Sequence, residues 1–162
     1  MTEVTITRLP PAPLHALELW SNPAKVAVRV KKATGLALPP MGQSSESKTL
    51  RLIRYEPTVW LAEGDLSALP DVLGEDGTLT AIGGGIVRIE LSGPRWRRLL
   101  MEGGVFDAES PAFATGCSAA TVIDNVNLRL LVTGEQSCLA YVPLSYAADM
   151  IAFWESAARA LD

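Results

Sequence analysis

The side chains that could carry catalysis are few and widely separated in this sequence. His15 is the single histidine, and it falls in a predicted strand where no serine, cysteine or carboxylate can be assigned to it as a partner. Cys117 and Cys138 are isolated thiols, with neither the CxxC spacing of a redox or zinc site nor the companions that a disulfide framework needs. We therefore predict a structural histidine and two small buried strand cysteines. No catalytic, cofactor-binding or metal-binding residue is predicted in this chain.

Two other patterns could indicate ligand chemistry. Asp71, Glu75 and Asp76 form an acidic group, but they lie around a predicted helix end, which favours solvation over acid–base work. The glycine triplet at 83–85 lacks the GxxxxGK[ST] spacing and leads into a strand, so it predicts a tight hairpin instead of a phosphate loop. This inventory is more typical of a binding or assembly component than of a self-sufficient enzyme.

Charge and hydropathy argue against two classes of partner. The 162 residues are 48% hydrophobic and carry a net charge of -4, whereas nucleic acids and anionic membranes bind basic surfaces. Arg95, Arg97 and Arg98 form one basic cluster, which we expect on the solvated face of a helix. No apolar run approaches the roughly 20 residues of a membrane span, and the alternating N-terminal sequence with its acidic third residue is unlike a signal peptide. We predict one domain, located in the cytoplasm, with no nucleic acid or membrane as partner.

The elements that would position these residues are organised around the stretch from residue 86 to 125. Apolar and polar residues alternate over 86–92, as in a half-buried strand. Ser92-Gly93-Pro94 then predicts a helix from about Pro94. The residues on the apolar side of this helix are Trp96, Leu99 and Leu100.

Caps and turns mark the remaining elements. Asn22 as N-cap and Pro23 predict a first helix that ends near Gly35. Ser67 is preferred to Asp65 as the cap of a second helix, because it places Pro70 in the first turn, where no backbone donor is missed. Residues 36–48 are predicted to be a polar connector, with residues 43–48 as its mobile tip. The predicted strands cover residues 4–9, 14–20, 49–55, 58–63, 78–82, 86–92, 119–124, 126–132 and 138–142, and a last helix begins near Tyr146.

The order of these elements, ββαββα followed by ββαβββα, nearly repeats. At an offset of 71 residues Ser21-Asn22-Pro23 matches Ser92-Gly93-Pro94, and at an offset of 78 residues 60–73 match residues 138–151. The matches are collinear, which favours an α+β fold of duplicated ββαββ(β)α units with antiparallel sheets. We predict one domain of residues 1–162 with pseudo-repeats 1–76 and 77–162, related by a pseudo-twofold that places the Ser21 and Ser92 turns in equivalent settings.

The sequence from 91 to 123, LSGPRWRRLLMEGGVFDAESPAFATGCSAATVI, also resembles a known family. The gamma subunits of heterotetrameric sarcosine oxidase typically have L-S-G-P, a leucine-bearing helix, K-G-C-x-x-D-L and then F-x-x-G-x-C/S-x-x-T. GLALPP from Gly35, EPTVWLAEG from Glu56 and the last tryptophan-bearing helix extend the resemblance to most of the chain. The residues that fill the pattern are Leu91 to Pro94, Leu99, Leu100, Gly103, Asp107, Phe113, Gly116 and Thr121.

The resemblance implies both a fold and a function. The family is similar to the folate-binding domain of the glycine-cleavage T-protein, itself a duplicated β/α arrangement. It implies a bacterial, cytoplasmic flavoenzyme complex that oxidatively demethylates sarcosine or a related N-methyl amine, with this chain as a non-catalytic assembly subunit. The partners would be alpha, beta and delta subunits, which would hold FAD, FMN, NAD, zinc and tetrahydrofolate, while this chain would bind no cofactor.

Two positions depart from the family pattern. Ala81-Ile82-Gly83-Gly84 stands where the family has D-V-S-H, which removes polar groups that a folate-domain relative could use. Gly104 stands where the family often has Cys. These departures argue against ligand binding here and are consistent with a divergent or stand-alone paralogue. Two alternatives to the assembly subunit stay open: a stand-alone folate or one-carbon-binding module, and a homo-oligomeric interaction protein.

Overall fold

The chain forms two compact units, each built on one antiparallel sheet. The structure is a computed structural model that describes residues 3–161. One unit contains residues 12–83, and the other contains residues 3–11 together with residues 84–161. Each sheet has five strands, and every pair of neighbouring strands is antiparallel. The predicted α+β fold with antiparallel sheets is therefore confirmed.

Ten strands and four helices make up the described chain. The strands are β1 (Thr5–Arg8), β2 (Leu14–Leu19), β3 (Ser44–Glu46), β4 (Leu50–Arg54), β5 (Val59–Gly64), β6 (Gly77–Ala81), β7 (Ile86–Ser92), β8 (Ser118–Ile123), β9 (Val126–Gly134) and β10 (Ser137–Pro143). The helices are α1 (Pro23–Thr34), α2 (Leu69–Leu73), α3 (Trp96–Met101) and α4 (Ala147–Leu161). Short 3-10 turns lie at Gly83–Gly85 and Leu144–Tyr146.

In the unit of residues 12–83, the strands lie in the order β3-β4-β5-β2-β6. Residues two apart on a strand point to the same face, and one face of this sheet collects large apolar side chains from β2, β4 and β5. Helix α1 buries Val26 and Val30, four residues apart on one face, and α2 buries Leu69 and Leu73 in the same way. These side chains pack with strand residues into one core, whose strand members are Leu17, Leu19, Leu50, Leu52, Trp60 and Ala62.

The other unit has the strand order β1-β7-β10-β9-β8, with α3 and α4 packed on its core. Asp124 and Asn125 connect β8 to β9 with φ angles of 47° and 62°, which is the geometry of a type I′ hairpin turn. The predicted apolar side of α3 is confirmed, because its three residues are all buried. The largest fully buried side chains of this unit are Trp96, Trp154, Ile89, Leu91 and Leu99.

The two sheets have the same strand order when corresponding elements are matched. The series β2-α1-β3-β4-β5-α2 corresponds to β7-α3-β8-β9-β10-α4, and the strands of each series lie in the same spatial sequence. The fifth strand of each sheet does not belong to these two series. β6 lies beside β2, and β1 lies beside β7. Because β1 opens residues 1–76 and β6 opens residues 77–162, each predicted half contributes its first strand to the sheet formed by the other half.

This shared topology favours the predicted repeat of 1–76 and 77–162, which stays a prediction, but one residue match is wrong. Ser92 is paired within the sheet with Thr5 and Ser137, whereas Ser21 lies beyond the end of β2. The exchanged strands instead match each other: β1 is TITR and β6 ends in TLTA. Thr78 lies 73 residues after Thr5, and Thr5 pairs with Ser92 as Thr78 pairs with Glu18.

Two connections differ from the prediction. The glycine triplet does not close a hairpin, because β6 pairs with β2 while β7 pairs with β1 and β10. The predicted mobile tip at residues 43–48 contains β3, whose residues pair with β4 from Ser44 opposite Ile53 to Glu46 opposite Arg51. A short polar strand at a sheet edge lacks the apolar alternation by which strands are recognised.

The helix starts also differ in detail. Ser67 does not cap α2, because the N-cap is Ala68 and the Ser67 N–H donates to Asp65 Oδ1 at 3.0 Å. Pro70 does lie in the first turn, as predicted. Helix α3 begins two residues later than expected, at Trp96, since Gly93 continues the strand pairing by donating its N–H to Gln136 O at 2.9 Å.

A pair of glycine substitutions tests the packing of β4 against β5. Gly64 has φ 112°, and a Cβ there would lie 2.1 Å from Thr49 O, whereas Gly35 has φ 77° and no atom within 4 Å of such a Cβ. We expect Gly35→Ala to lower the free energy of unfolding by about 1 kcal/mol, the cost of a left-handed alanine. Gly64→Ala must also displace backbone, so we expect a loss of about 3 kcal/mol or more. Urea unfolding of both variants measures the difference, and equal losses would contradict this packing.

Candidate functional site

His15 lies in β2, within the strand predicted for residues 14–20. It is half-buried, and it is paired with Ala62 on one side and Ala81 on the other. Within residues 3–161, its buried Nδ1 has no hydrogen-bond partner. The two strands beside His15 therefore present only methyl groups at the paired positions.

The two cysteines are free thiols in different surroundings. Cys138 is fully buried in β10, as predicted, and burial raises the pKa of its thiol to about 12. A thiol with so high a pKa is a poor nucleophile at neutral pH. Cys117 is half-buried just before β8, and its Sγ lies 3.3 Å from Ala112 O.

The acidic group divides into two exposed residues and one that holds loops together. Asp71 and Glu75 are exposed, as predicted. The expected solvation of Asp76 is wrong: its carboxylate accepts from Ser21 Oγ at 2.6 Å, Asn22 Nδ2 at 2.8 Å and Arg29 Nη2 at 2.7 Å. We call these four residues the Asp76 clamp. It ties the β2–α1 turn to the loop that follows α2.

These donors keep the Asp76 carboxylate ionised. The hydrogen bonds from Ser21, Arg29 and Asn22 lower the pKa of Asp76 far below its ordinary value of 3.8, because each donor favours the charged form. The clamp also explains the backbone of Asn22, which has φ 48°. Its side chain reaches Asp76 and makes no cap bond to α1, so the predicted side-chain cap is replaced by a longer-range contact.

The clamp fixes an exposed tryptophan. The backbone N–H groups of Trp20 and Ser21 donate to Asp76 O at 3.0 and 3.3 Å, and Trp20 Nε1 donates to Glu75 O at 2.8 Å. Trp20 is nonetheless 60% exposed. Trp20 is therefore an ordered aromatic side chain on the surface of this unit.

A second ordered cluster surrounds Arg97. Its Nη1 donates to Ala108 O at 2.6 Å and to Phe113 O at 2.8 Å. The guanidinium also lies 4.3 Å from the Trp96 ring centre and 5.9 Å from that of Phe113. Phe106 packs edge-on to Phe113 at 4.8 Å. The Arg97 cluster thus fastens the connector between α3 and β8 to the helix.

The predicted solvated arginine face is therefore wrong for two of its three residues. Arg95 pairs with Glu3 and donates to Leu161 O, so it joins both ends of the described chain. Arg97 is half-buried as described above, and Arg98 is exposed as expected. Sequence offered no signal for these contacts, because the acceptors of Arg97 are backbone carbonyls, which every residue carries.

One glycine of the triplet, where the family pattern is polar, has a packing reason. Gly83 begins the 3-10 turn, and a Cβ there would lie 2.9 Å from Ala12 O. A side chain at this position would have to move backbone. At Gly83 the absence of a side chain follows from this close approach of two backbone segments, whereas a Cβ at Gly84 or Gly85 would have no atom within 4 Å.

Residues 3–161 contain no group of three or more His, Cys, Asp and Glu side chains that could hold a metal ion. Over the same range, none of the helices is long and apolar enough to span a bilayer.

Comparison with known proteins identifies relatives of the fold. No family model and no curated protein sequence matches the chain. Among solved structures, a chain of the heterotetrameric sarcosine oxidase from Corynebacterium sp. U-96, in complex with pyrrole 2-carboxylate, superposes with a TM-score of 0.86 at 20% identity. The match covers 96% of this chain and 84% of that one. The chain has the fold of a sarcosine oxidase chain. The structural relationship predicted from the sequence is thereby confirmed at the level of fold.

A second relative is the glycine-cleavage aminomethyltransferase T from Bartonella henselae. It superposes with a TM-score of 0.69 at 17% identity, over 94% of this chain but 45% of that one. This confirms the predicted T-protein-like fold. The chain corresponds to less than half of the transferase.

The Arg97 cluster can be tested with two arginines of the same helix. Arg97→Lys keeps the charge but loses the planar group that reaches two carbonyls and stacks on Trp96. We expect a loss of about 2 kcal/mol in the free energy of unfolding. Arg98→Lys is the control, and as an exposed substitution it should change stability by less than about 0.5 kcal/mol. Equal effects in urea unfolding would show that the Arg97 contacts do not stabilise the connector.

The Asp76 clamp predicts a pH dependence of stability. Because the pKa of Asp76 is lower in the folded chain than in the unfolded one, the clamp stabilises fully above about pH 5 and loses its effect as the pH falls towards 2. Asp76→Asn should therefore be less stable than the wild type at pH 6, and the difference should shrink in acid. The exposed Asp71→Asn serves as the control, and urea midpoints across this pH range are the measurement. A difference that stays constant with pH would contradict the clamp.

Proposed function

We propose that this chain is a non-catalytic assembly subunit of a heterotetrameric flavoenzyme similar to sarcosine oxidase. The complex would oxidatively demethylate sarcosine or a related N-methyl amine in the cytoplasm of a bacterium. The partners would be alpha, beta and delta subunits that hold FAD, FMN, NAD, zinc and tetrahydrofolate, with no cofactor bound by this chain.

The observation that carries the proposal is the mutual coverage of the structural match. The sarcosine oxidase chain and this chain correspond over 84% and 96% of their lengths, so the likeness extends over nearly the whole of both. The sequence resemblance in residues 91–123 rests on residue motifs and not on the superposition. It points to the gamma subunit of the same complex. The fold match and the sequence resemblance therefore support the same assignment.

The use of polar side chains agrees with an assembly role. Two charged side chains with several hydrogen bonds each, Asp76 and Arg97, bind neighbouring loops and backbone carbonyls. They order the surface of each unit. Ordered surfaces lower the conformational entropy lost when proteins associate.

A folate or one-carbon-binding module is the second candidate, favoured by the likeness to aminomethyltransferase T. Calorimetric titration of the isolated chain with tetrahydrofolate separates the two candidates. Heat of binding at micromolar ligand would support the module. An assembly subunit should give none. The third candidate, a homo-oligomeric interaction protein, predicts a discrete self-assembly in light scattering.

The proposal is tested by purifying a tagged copy from its native cells. We expect it to bring down larger chains that carry bound flavin, recognised by the visible absorbance of oxidised flavin. The purified complex should consume oxygen when sarcosine or another N-methyl amine is added.

The control is a chain that cannot fold. Leu130 is fully buried in β9, so Leu130→Asp places a charge in the core and should prevent folding. A protein that also copurifies with this variant binds unfolded chain, and it is not counted as a partner. Recovery of the folded wild type without any flavin-bearing chain would overturn the proposal.

A further inference from the structure

A groove runs between the edge strand β1 and helix α4, within the unit of residues 3–11 and 84–161. Its volume is about 260 Å³. Small-molecule pockets usually measure about 300–1,000 Å³, so this groove is of a size for one or two side chains. The residues that line it are Val4, Thr5, Ile6, Glu155, Ala158 and Arg159.

One wall of the groove is a strand with an unpaired edge. β1 is the outermost strand of its sheet, and in the described chain it pairs with β7 alone. The Leu9 N–H donates to Arg88 O at 2.9 Å. Since bonded pairs alternate along an antiparallel ladder, Thr5 and Thr7 direct their backbone groups to β7. The N–H and C=O groups of Ile6 and Arg8 therefore point away from it, as a template for another strand.

The opposite wall combines an apolar floor with two charges. Val4 and Ala158 are 3% and 7% exposed and form the floor. Glu155 and Arg159 are exposed and lie four residues apart on α4, so they share one face of the helix. Within residues 3–161 neither side chain makes a hydrogen bond or an ion pair. The groove thus presents one anionic and one cationic group with no partner in the described chain.

The spacing of these charges fits an extended strand. Four residues of helix rise about 6 Å, and two residues of strand rise about 6.6 to 6.8 Å. Side chains two residues apart on a strand point to the same side. A strand laid along β1 would therefore place alternate side chains opposite Glu155 and Arg159.

From this match we propose that the β1–α4 groove binds an extended segment of another protein, which adds to β1 as a sixth strand. The segment carries a basic side chain opposite Glu155 and an acidic side chain opposite Arg159, two residues apart. If the proposed function is right, the segment belongs to a neighbouring subunit of the complex. The binding chemistry of the groove does not depend on that assignment.

Selection from short random-sequence peptides displayed on phage tests the charge pattern. Panned on the purified full-length chain, the library should yield extended sequences with one order of basic and acidic residues at i and i+2. The double variant Glu155→Arg with Arg159→Glu should select the opposite order. Arg98→Glu, an exposed charge reversal on α3, should leave the selection unchanged. Failure to enrich any sequence, or the same sequences on both chains, would overturn the proposal.

Hydrogen exchange locates the bound peptide. With the best selected peptide present, the Ile6 and Arg8 amides should exchange at least tenfold more slowly, while the Thr5 and Thr7 amides are already protected by β7. A bound peptide that leaves Ile6 and Arg8 unprotected would contradict strand addition. A dimer in light scattering that dissociates in the double variant would mean that a second copy occupies the groove, which also overturns the proposal. Peptide binding does not require flavin-bearing partners. The peptide experiment can therefore fail while the copurification succeeds, and the reverse is also possible.

Discussion

Strand pairing at β2 and β7 is the constraint on which the rest of the structure depends. Each of these strands is hydrogen-bonded on both sides, β2 between β5 and β6 and β7 between β10 and β1. Without β6 or β1, each would become a sheet edge with unpaired backbone groups beside a buried core. Both outer strands come from the opposite half of the sequence. The halves 1–76 and 77–162 therefore need each other's first strand to complete their sheets.

Charged side chains extend this order from the sheets to the loops. Asp76 holds the turn before α1, and Arg97 holds the connector after α3. Each of these side chains makes several hydrogen bonds at once. These bonds fasten segments that have no regular secondary structure. The apolar cores stabilise the sheets and helices, while these hydrogen bonds from charged side chains fix the irregular segments. The result is a surface with ordered features such as Trp20.

The low sequence identity of the structural relatives is compatible with this arrangement, in which apolar side chains form the core and charged side chains fix the loops. A sheet and helix core tolerates many apolar substitutions if volume and pattern are kept, so 20% identity is compatible with a TM-score of 0.86. The family pattern in residues 91–123 consists mostly of turn glycines and apolar positions. Gly93 illustrates why such positions persist: its φ is 124°, and a Cβ there would lie 2.4 Å from Glu3 O. Such residues specify the backbone, and they say little about the partner or the substrate.

The local elements and the chemical character of the chain can be predicted from its sequence. The alternation in β7, the buried side of α3 and the course of α4 were predicted, because period and burial are local properties of a pattern. The sequence also indicated the fold class and the likeness to sarcosine oxidase. It failed where pairing is non-local: β3 has no apolar alternation, and the glycine triplet connects strands of two different sheets. The contacts of Asp76 and Arg97 and the β1–α4 groove are visible only in the folded chain. Their partners lie far away in sequence or are backbone atoms, and no residue pattern records which of these the folded chain brings within hydrogen-bonding distance.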